Sequence, residues 1–244
     1  MRRLHTGRAA KALRPVERGV GLLEFTLIFP LAVLFVLALI QGGFIYMAKL
    51  QLNHATFMAA RAGSLNNAKA QVIRAALERG LSPFYQDSTT SSDSARLAKA
   101  HLDATVDAKL PWGLSLTVLN PSPEAFRDFG VRDPATGRLY IPNDNLEWRS
   151  DQVGPHSRLN LRDANLLKIH VLYGYELKVP LMAGILRRVM CGGSSGVEAF
   201  GNVSVLESAN GLSNPKRCLY FLNGRIPIES SAIVEMQSRA EPST

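Results

Sequence analysis

Residues 17–63 read ERGVGLLEFTLIFPLAVLFVLALIQGGFIYMAKLQLNHATFMAARAG, and the organisation of the chain follows from them. Between Val20 and Ile40 the only charge is Glu24, and the next charged residue is Lys49. A helix needs about 20 apolar residues to cross the hydrocarbon core of a bilayer, so this run is long enough to span. The flank before it is basic, which predicts a cytoplasmic N-terminus and an exported body. Three readings fit such a segment: a cleaved secretory signal, a simple signal anchor, and a leader cut on the cytoplasmic side ahead of the apolar run. A secretory signal has a shorter apolar core and a small-residue cleavage site, and no clear A-x-A occurs here. Glu24 separates the other two. A carboxylate at that depth costs about 2.5–3.5 kcal/mol on insertion scales and is usually functional, whereas a plain anchor has no use for it.

The charge is unevenly placed. The 244 residues carry a formal +8, with 46% hydrophobic and 20% charged residues. Residues 1–19 hold six basic side chains and one acid, so the leader accounts for +5 and the other 225 residues for only +3. A nucleic-acid-binding domain keeps its basic excess on the folded body, so no nucleic-acid partner is expected. The mean hydropathy of +0.02 excludes a polytopic membrane protein but not one spanning segment. Two cysteines exclude a disulfide-dense scaffold and a four-cysteine zinc site.

Gly19-Val20-Gly21-Leu22-Leu23-Glu24-Phe25 resembles a type IV prepilin processing site. In that family a prepilin peptidase cuts after a glycine, and a glutamate stands fifth in the mature chain. Cleavage after Gly19 would make Val20 the first mature residue and Glu24 the fifth. The new amine on Val20 and the Glu24 carboxylate of a neighbouring helix could neutralise each other and so favour one stagger between subunits. Over residues 17–63 the chain is similar to TadE-like proteins, the pseudopilins or minor pilins of tight-adherence (Flp, type IVc) pilus systems. Pro30, Tyr46 and Ala59-Ala60-Arg61-Ala62-Gly63 fill places in that pattern, and Gly63-Ser64 departs from it where members often carry a second arginine. The tail from Arg225 to Ser238 resembles the closing strand of many such proteins. The resemblance implies a non-catalytic component of a pilus used in surface adhesion and biofilm formation. Its partners would be the inner membrane, the prepilin peptidase, other Tad/Flp pilins and the assembly machinery. The implied topology is single-pass, with the N-terminus cytoplasmic and the C-terminal domain periplasmic; entry into an extracellular fibre is left open. An uncleaved, signal-anchored periplasmic scaffold or binding protein is the alternative.

The body predicts an α+β fold: a long N-terminal transmembrane helix, then a pilin-like exported domain of helices and an antiparallel sheet. The boundaries are a leader over 1–19, a transmembrane helix over 20–48, and an exported domain over 49–244 into which the helix continues to about residue 66. Pro30 lacks an N–H and crowds the Thr26 carbonyl, so a kink is expected there, with Gly42-Gly43 a second weak point. Beyond Ala48 the apolar members Leu50, Leu52, Ala55, Phe57, Met58, Ala59 and Ala62 form the side expected to pack on the domain. A second helix is expected over Ala68–Arg79 with Gly80 closing it, then a turn, a polar loop over 87–94, and a third helix over Ala95–Leu110. Asp93 or Ser94 would cap that helix, and Leu97, His101, Leu102, Val106 and Leu110 recur along it. Strands are expected over Leu114–Leu119, Gly201–Glu207, Arg225–Met236 and, most clearly, Leu166–Val179, where apolar and polar residues alternate. Residues 121–155 hold five prolines and read as loop.

If the body is exported, Cys191 and Cys218 meet an oxidising compartment and are expected to pair. No cofactor, metal site or catalytic residue is expected. The five histidines show no metal-ligand spacing and no H-E-x-x-H. Asp87-Ser-Thr-Thr-Ser91 superficially resembles the metal site of von Willebrand A domains but follows no buried strand, and Asp144 and Glu147 lack EF-hand spacing.

Overall fold

A computed structural model describes residues 20–86, 92–191 and 215–242. By internal contacts the chain divides between Ile40 and Gln41 into two compact units. Helix α1, Val20–Leu65, begins in the first and continues into the second.

In the first unit the side chains of 21–40 are exposed almost without exception, including Leu22, Phe25, Ile28, Leu31 and Phe35. A helix apolar on every side belongs in a core or a membrane. Among the described residues α1 is the one helix long and apolar enough to cross a bilayer, which is compatible with a single-pass anchor. The helix runs unbroken through Pro30 and through Gly42-Gly43.

The second unit is α+β. After α1 come α2 (Ala70–Leu81), a 3-10 turn (Ser82–Tyr85) and α3 (Asp93–Ala108). Strand β1 (Leu114–Asn120) is followed by α4 (Pro123–Phe129), a hairpin of β2 (Val131–Arg132) and β3 (Leu139–Tyr140), and a 3-10 turn (Leu146–Trp148). The short α5 (Leu161–Ala164) leads into β4 (Leu166–Glu176). Helices α6 (Met182–Cys191) and α7 (Pro215–Leu222) and strand β5 (Arg225–Glu235) complete the order. The main sheet is antiparallel in the order β1-β4-β5, with β4 in the centre. Alternation decides its faces: Leu167, Ile169, Val171, Tyr173 and Tyr175 point into the core, while Lys168 and Glu176 face water. Burying an apolar side chain of this size stabilises by about 1.5–3 kcal/mol.

Among the described residues strand β5 is an edge. Pro227 lies in it and offers no N–H, and Lys49 Nζ of α1 donates to the Glu229 carbonyl.

Small residues set how closely the helices approach. The core face of α1 is Ala48, Leu52, Ala55, Thr56, Ala59, Ala60 and Ser64. Leu50, Phe57 and Met58, expected on the inner side, are exposed. A Cβ placed on Gly80 would lie 2.7 Å from the Ala55 Cβ and 3.0 Å from its Cα, and one on Gly63 would lie 2.5 Å from the Ile73 side chain. At such separations there is no room for leucine or phenylalanine, so the bulky side chains are turned outward. The same contact corrects the reading of Gly80. It does not close α2, which continues to Leu81; it lies inside the helix, where α1 crosses it. Gln51 Nε2 donates to the Gly80 carbonyl at 3.0 Å across this contact. The break between α1 and α2 falls instead at Asn67 and Ala68, whose φ angles of 59° and 56° are left-handed.

Helix α3 is also turned over relative to expectation. Ala100, Ala104, Asp107 and Ala108 are buried, while Leu97, His101, Leu102 and Val106 are exposed. Its N-cap position is Ser92, with Asp93 and Ser94 in the first turn. The helix packs on α2 and the 3-10 turn, an approach that favours alanines. The proline-rich stretch contains α4, capped by Ser122, whose Oγ accepts from the Ala125 N–H at 3.3 Å. β4 ends at Glu176, three residues before the expected limit. The expected loop residues 87–91 and strand Gly201–Glu207 lie outside the described residues.

Two glycine substitutions should move stability in opposite directions. Gly80→Ala forces α1 and α2 apart and should destabilise by about 1–3 kcal/mol. Gly184→Ala, in α6 with no atom within 4 Å of the added Cβ, should stabilise by about 0.5–1 kcal/mol. Thermal denaturation of the full chain in detergent reads both; equal effects would contradict the packing described.

Candidate functional site

The sequence pointed to the head of α1. Val20 is the first residue of that helix, and Gly19 lies outside the described residues. Glu24 is exposed one turn in, on a helix with no other charge before Lys49. Phe25 and Phe29, one turn apart, stack with centroids 5.1 Å apart. Pro30 leaves the Thr26 carbonyl without its N–H donor. The Thr26 hydroxyl bonds back one turn, donating to the Leu22 carbonyl at 2.8 Å.

Further along α1, the outward residues Phe44, Met47, Leu50, Phe57, Met58 and Leu65 follow helical spacing, with His54 and Arg61 among them. The helix therefore presents a core face of small residues and an outer face of large ones.

A second constellation was not anticipated. Asp107 of α3 receives two bonds from the Arg225 guanidinium of β5, at 2.6 and 2.7 Å, and their side chains are only 8% and 15% exposed. The Tyr85 hydroxyl donates to the same carboxylate, and Tyr85 and Tyr173 share a hydrogen bond of 2.8 Å. Arg225 also donates to the Gly174 carbonyl at 3.0 Å. Burial, then the neighbouring hydroxyl of Tyr173 and the Asp107 carboxylate, pushes Tyr85 far above the ordinary phenol range; Tyr173 is raised chiefly by burial. Phe84 stacks on Tyr173 at 5.5 Å. The bonds of this group tie α3, the 3-10 turn, β4 and β5 together. Removing one member of such a pair costs about 3–5 kcal/mol, because the other charge stays buried. One signal was available: Asp107 falls on the 100–104–108 alanine stripe.

The third is a clamp. Asp128, at the end of α4, accepts from the backbone N–H groups of His156 and Ser157 at 3.1 and 2.7 Å, from the Ser157 hydroxyl at 2.7 Å, and contacts His156 Nδ1 at 2.7 Å. A Cβ on Gly154 would lie 2.4 Å from this carboxylate. Serine, histidine and aspartate stand together here, but the Ser157 hydroxyl donates to Asp128 rather than to the imidazole. The imidazole is thus not placed to take the hydroxyl proton, and the order is not that of a nucleophilic triad.

The remaining histidines are dispersed. His54 is exposed on α1, His101 on α3, and His170 Nδ1 pairs with Ser231 Oγ at 3.0 Å on the open face of the sheet; His5 lies outside the described residues. Asp144 is paired with Arg149 at 3.3 Å. Among the described residues no group of three or more His, Cys, Asp or Glu is placed to hold a metal. Asp87–Ser91 lies outside them. A groove of about 580 Å³ runs along the start of α2, β3 and the C-terminal segment, with Arg138 and Glu241 facing each other in it at 3.6 Å. Cys191 ends α6 and Cys218 lies in α7, two helices that pack on each other; the side chains of both lie outside the described residues.

Residues 19–61 match the family model described as TadE-like protein, the same segment on which the sequence resemblance rests. No curated protein and no solved structure matches the chain.

The clamp carries a pH dependence. Burial alone would raise the Asp128 carboxyl, but the Ser157 and His156 donors outweigh it and hold it well below the usual carboxylate range. A depressed native value means the stabilisation is complete above the ordinary carboxyl pKa of about 4 and declines as pH falls below it. Asp128→Asn should lower the denaturation midpoint at neutral pH, and its difference from the parent protein should shrink on acidification below about pH 4. A constant difference across that range would refute the charged clamp.

Proposed function

We propose that the chain is a non-catalytic pseudopilin, or minor pilin, of a tight-adherence pilus, anchored in the inner membrane by α1 and acting through helix packing and subunit contacts. The observation that carries this reading is the Gly19–Glu24 spacing at the head of a spanning helix, within the segment that the family model matches. In this reading residues 1–19 are a cytoplasmic leader, 20–48 the transmembrane helix, and 49–244 an exported domain. A prepilin peptidase cuts between Gly19 and Val20. The freed Val20 amine and the Glu24 carboxylate of adjacent subunits pair within the membrane and set the stagger of the helices. Pro30 lets the spanning helix bend as it packs.

The two faces of α1 support a role in assembly. Its inner face is used by the domain itself, and its outer face offers large apolar groups, from Phe44 to Leu65. Neighbouring pilins with similar helices are the partners that such a face suits. The groups at Asp107 and Asp128 serve the fold in this reading: each carboxylate accepts from donors of elements distant in sequence.

Co-expression with a prepilin peptidase should shorten the protein by 19 residues, leaving a 225-residue chain that begins at Val20, as read by intact mass. Recovery of the uncut chain would defeat the reading. Glu24→Gln should leave cleavage intact and reduce pilus yield; normal piliation in that variant would remove the pairing role.

Export has a covalent consequence. Cys191 and Cys218 lie on packed helices, and their disulfide would close a 28-residue segment. Such a loop stabilises by about 3–4 kcal/mol in the chain-entropy model. Peptide mapping of membrane fractions without reductant should recover the two cysteines in one cross-linked pair. Two alkylatable thiols would exclude it.

A further inference from the structure

The outer face of α1 is not uniformly apolar, and its charges decide what can pack against it. At 3.6 residues per turn, Leu50, His54, Phe57, Met58, Arg61 and Leu65 fall within one sector of about 100° and about 22 Å long. The four apolar members are 45–58% exposed. His54 and Arg61, exposed as well, stand at the middle of the sector. Contiguous exposed apolar groups of this extent mark a contact surface. The alternating four- and three-residue spacing of Leu50, His54, Phe57 and Arg61 is that of a seam between two helices.

Two basic groups in the middle of such a seam are costly against a purely apolar helix, because each loses water without gaining a partner. Among the described residues neither side chain has an ion-pair or hydrogen-bond partner in its own fold. A second α1 does not supply one. Between Glu24 and Glu78 the chain has no acidic residue. Two copies packed in register set His54 against His54 and Arg61 against Arg61, and a shift of one heptad sets His54 against Arg61. For Glu24 of a parallel copy to reach His54 the helices must slide by 30 residues, and then one carboxylate arrives for two cations.

We propose that the face of α1 from Leu50 to Leu65 takes a helix of a different chain, apolar along its seam and carrying two carboxylates seven residues apart opposite His54 and Arg61. The two cations are themselves seven residues apart, so they return to one side of α1 after two turns, and acids at the same spacing meet both. The charges act in two ways: they attract the acidic helix, and they set like charge against like in a pair of identical helices. The inference rests on the reading above that this face is a subunit contact. It adds that the neighbour across the face is not the same chain.

The test uses the full-length chain in nanodiscs of zwitterionic lipid and three fluorescently labelled helical peptides. All three share a leucine seam and a polar side of zero net charge; at two seam positions seven residues apart they carry glutamate, leucine or lysine. The glutamate peptide should bind about tenfold more tightly than the leucine peptide, and the lysine peptide should bind least. His54→Glu with Arg61→Glu should exchange the places of the glutamate and lysine peptides. Arg187→Glu, at an exposed arginine of α6, controls for general charge and should leave the order as it was. A benzophenone side chain placed at position 57 of the purified chain should cross-link no two copies on irradiation. Equal binding of the three peptides, an order indifferent to the double substitution, or copies joined through position 57 would overturn the inference and leave the face as a helix contact. Binding of none of the peptides would overturn the use of this face in assembly, and the inference with it.

Discussion

The approach of α1 to α2 and the central strand sets the geometry of the domain. A helix backbone can come close to another only where side chains are small. Here Ala55 meets Gly80, and Gly63 lies against Ile73 and Leu167. Two consequences follow. Little apolar area is buried per residue at these places, so dispersion over many close atom pairs takes the place of large interdigitating side chains. Leu50, Phe57 and Met58 of α1 then point away from its own domain, while Leu52 stays on the core face.

Such a thin seam between helices needs fixing elsewhere. The Asp107–Arg225 pair provides it, joining the last turn of α3 to the first residue of β5 across 118 positions of sequence. A directional, two-pronged ion pair fixes the rotation of α3 in a way that alanine contacts cannot. Leu97, Leu102 and Val106 stay outside because turning them inward would expose the apolar seam and strand Arg225 without its carboxylate. Asp128 has a similar part at the other end of the sheet, where its acceptor oxygens close the turn from Gly154 to Ser157. Both carboxylates thus join elements that lie far apart in the sequence.

Long, strongly patterned elements were legible in the sequence. The limits of α1 differ from expectation by one residue, because an uncharged apolar run has no competing reading. The buried face of β4 was correct at each alternate residue from Leu167 to Tyr175, and β5 was displaced by a single residue at one end. The errors share a cause: large apolar residues were assumed to face inward. That rule inverted α3 and misplaced Leu50, Phe57 and Met58, because the contact distance set by alanine and glycine overrides size. Gly80 was read as a stop because glycine in isolation is a breaker; what it meets is visible only once α1 is in place. Helix α4 was missed although Ser122-Pro123-Glu124 is a capping sequence, since five prolines nearby outweighed it. Of the candidate site, the long apolar helix and the place of Glu24 one turn into it were readable, because local pattern carries them. The Asp107 and Asp128 groups were not, because their partners lie far away in sequence.

Strand β5 adds a different kind of constraint. Among the described residues its outer edge, 11 residues long, faces no further strand, and such an edge is a template on which another extended chain can zip. Pro227 withholds a donor from that edge, and the Lys49 ammonium occupies the acceptor of Glu229. Because Lys49 belongs to α1, the guard is in place only when that helix is seated on its domain. A chain whose helix has come loose is also one whose sheet is open, so loss of the native seat and the hazard of strand-to-strand aggregation arise together.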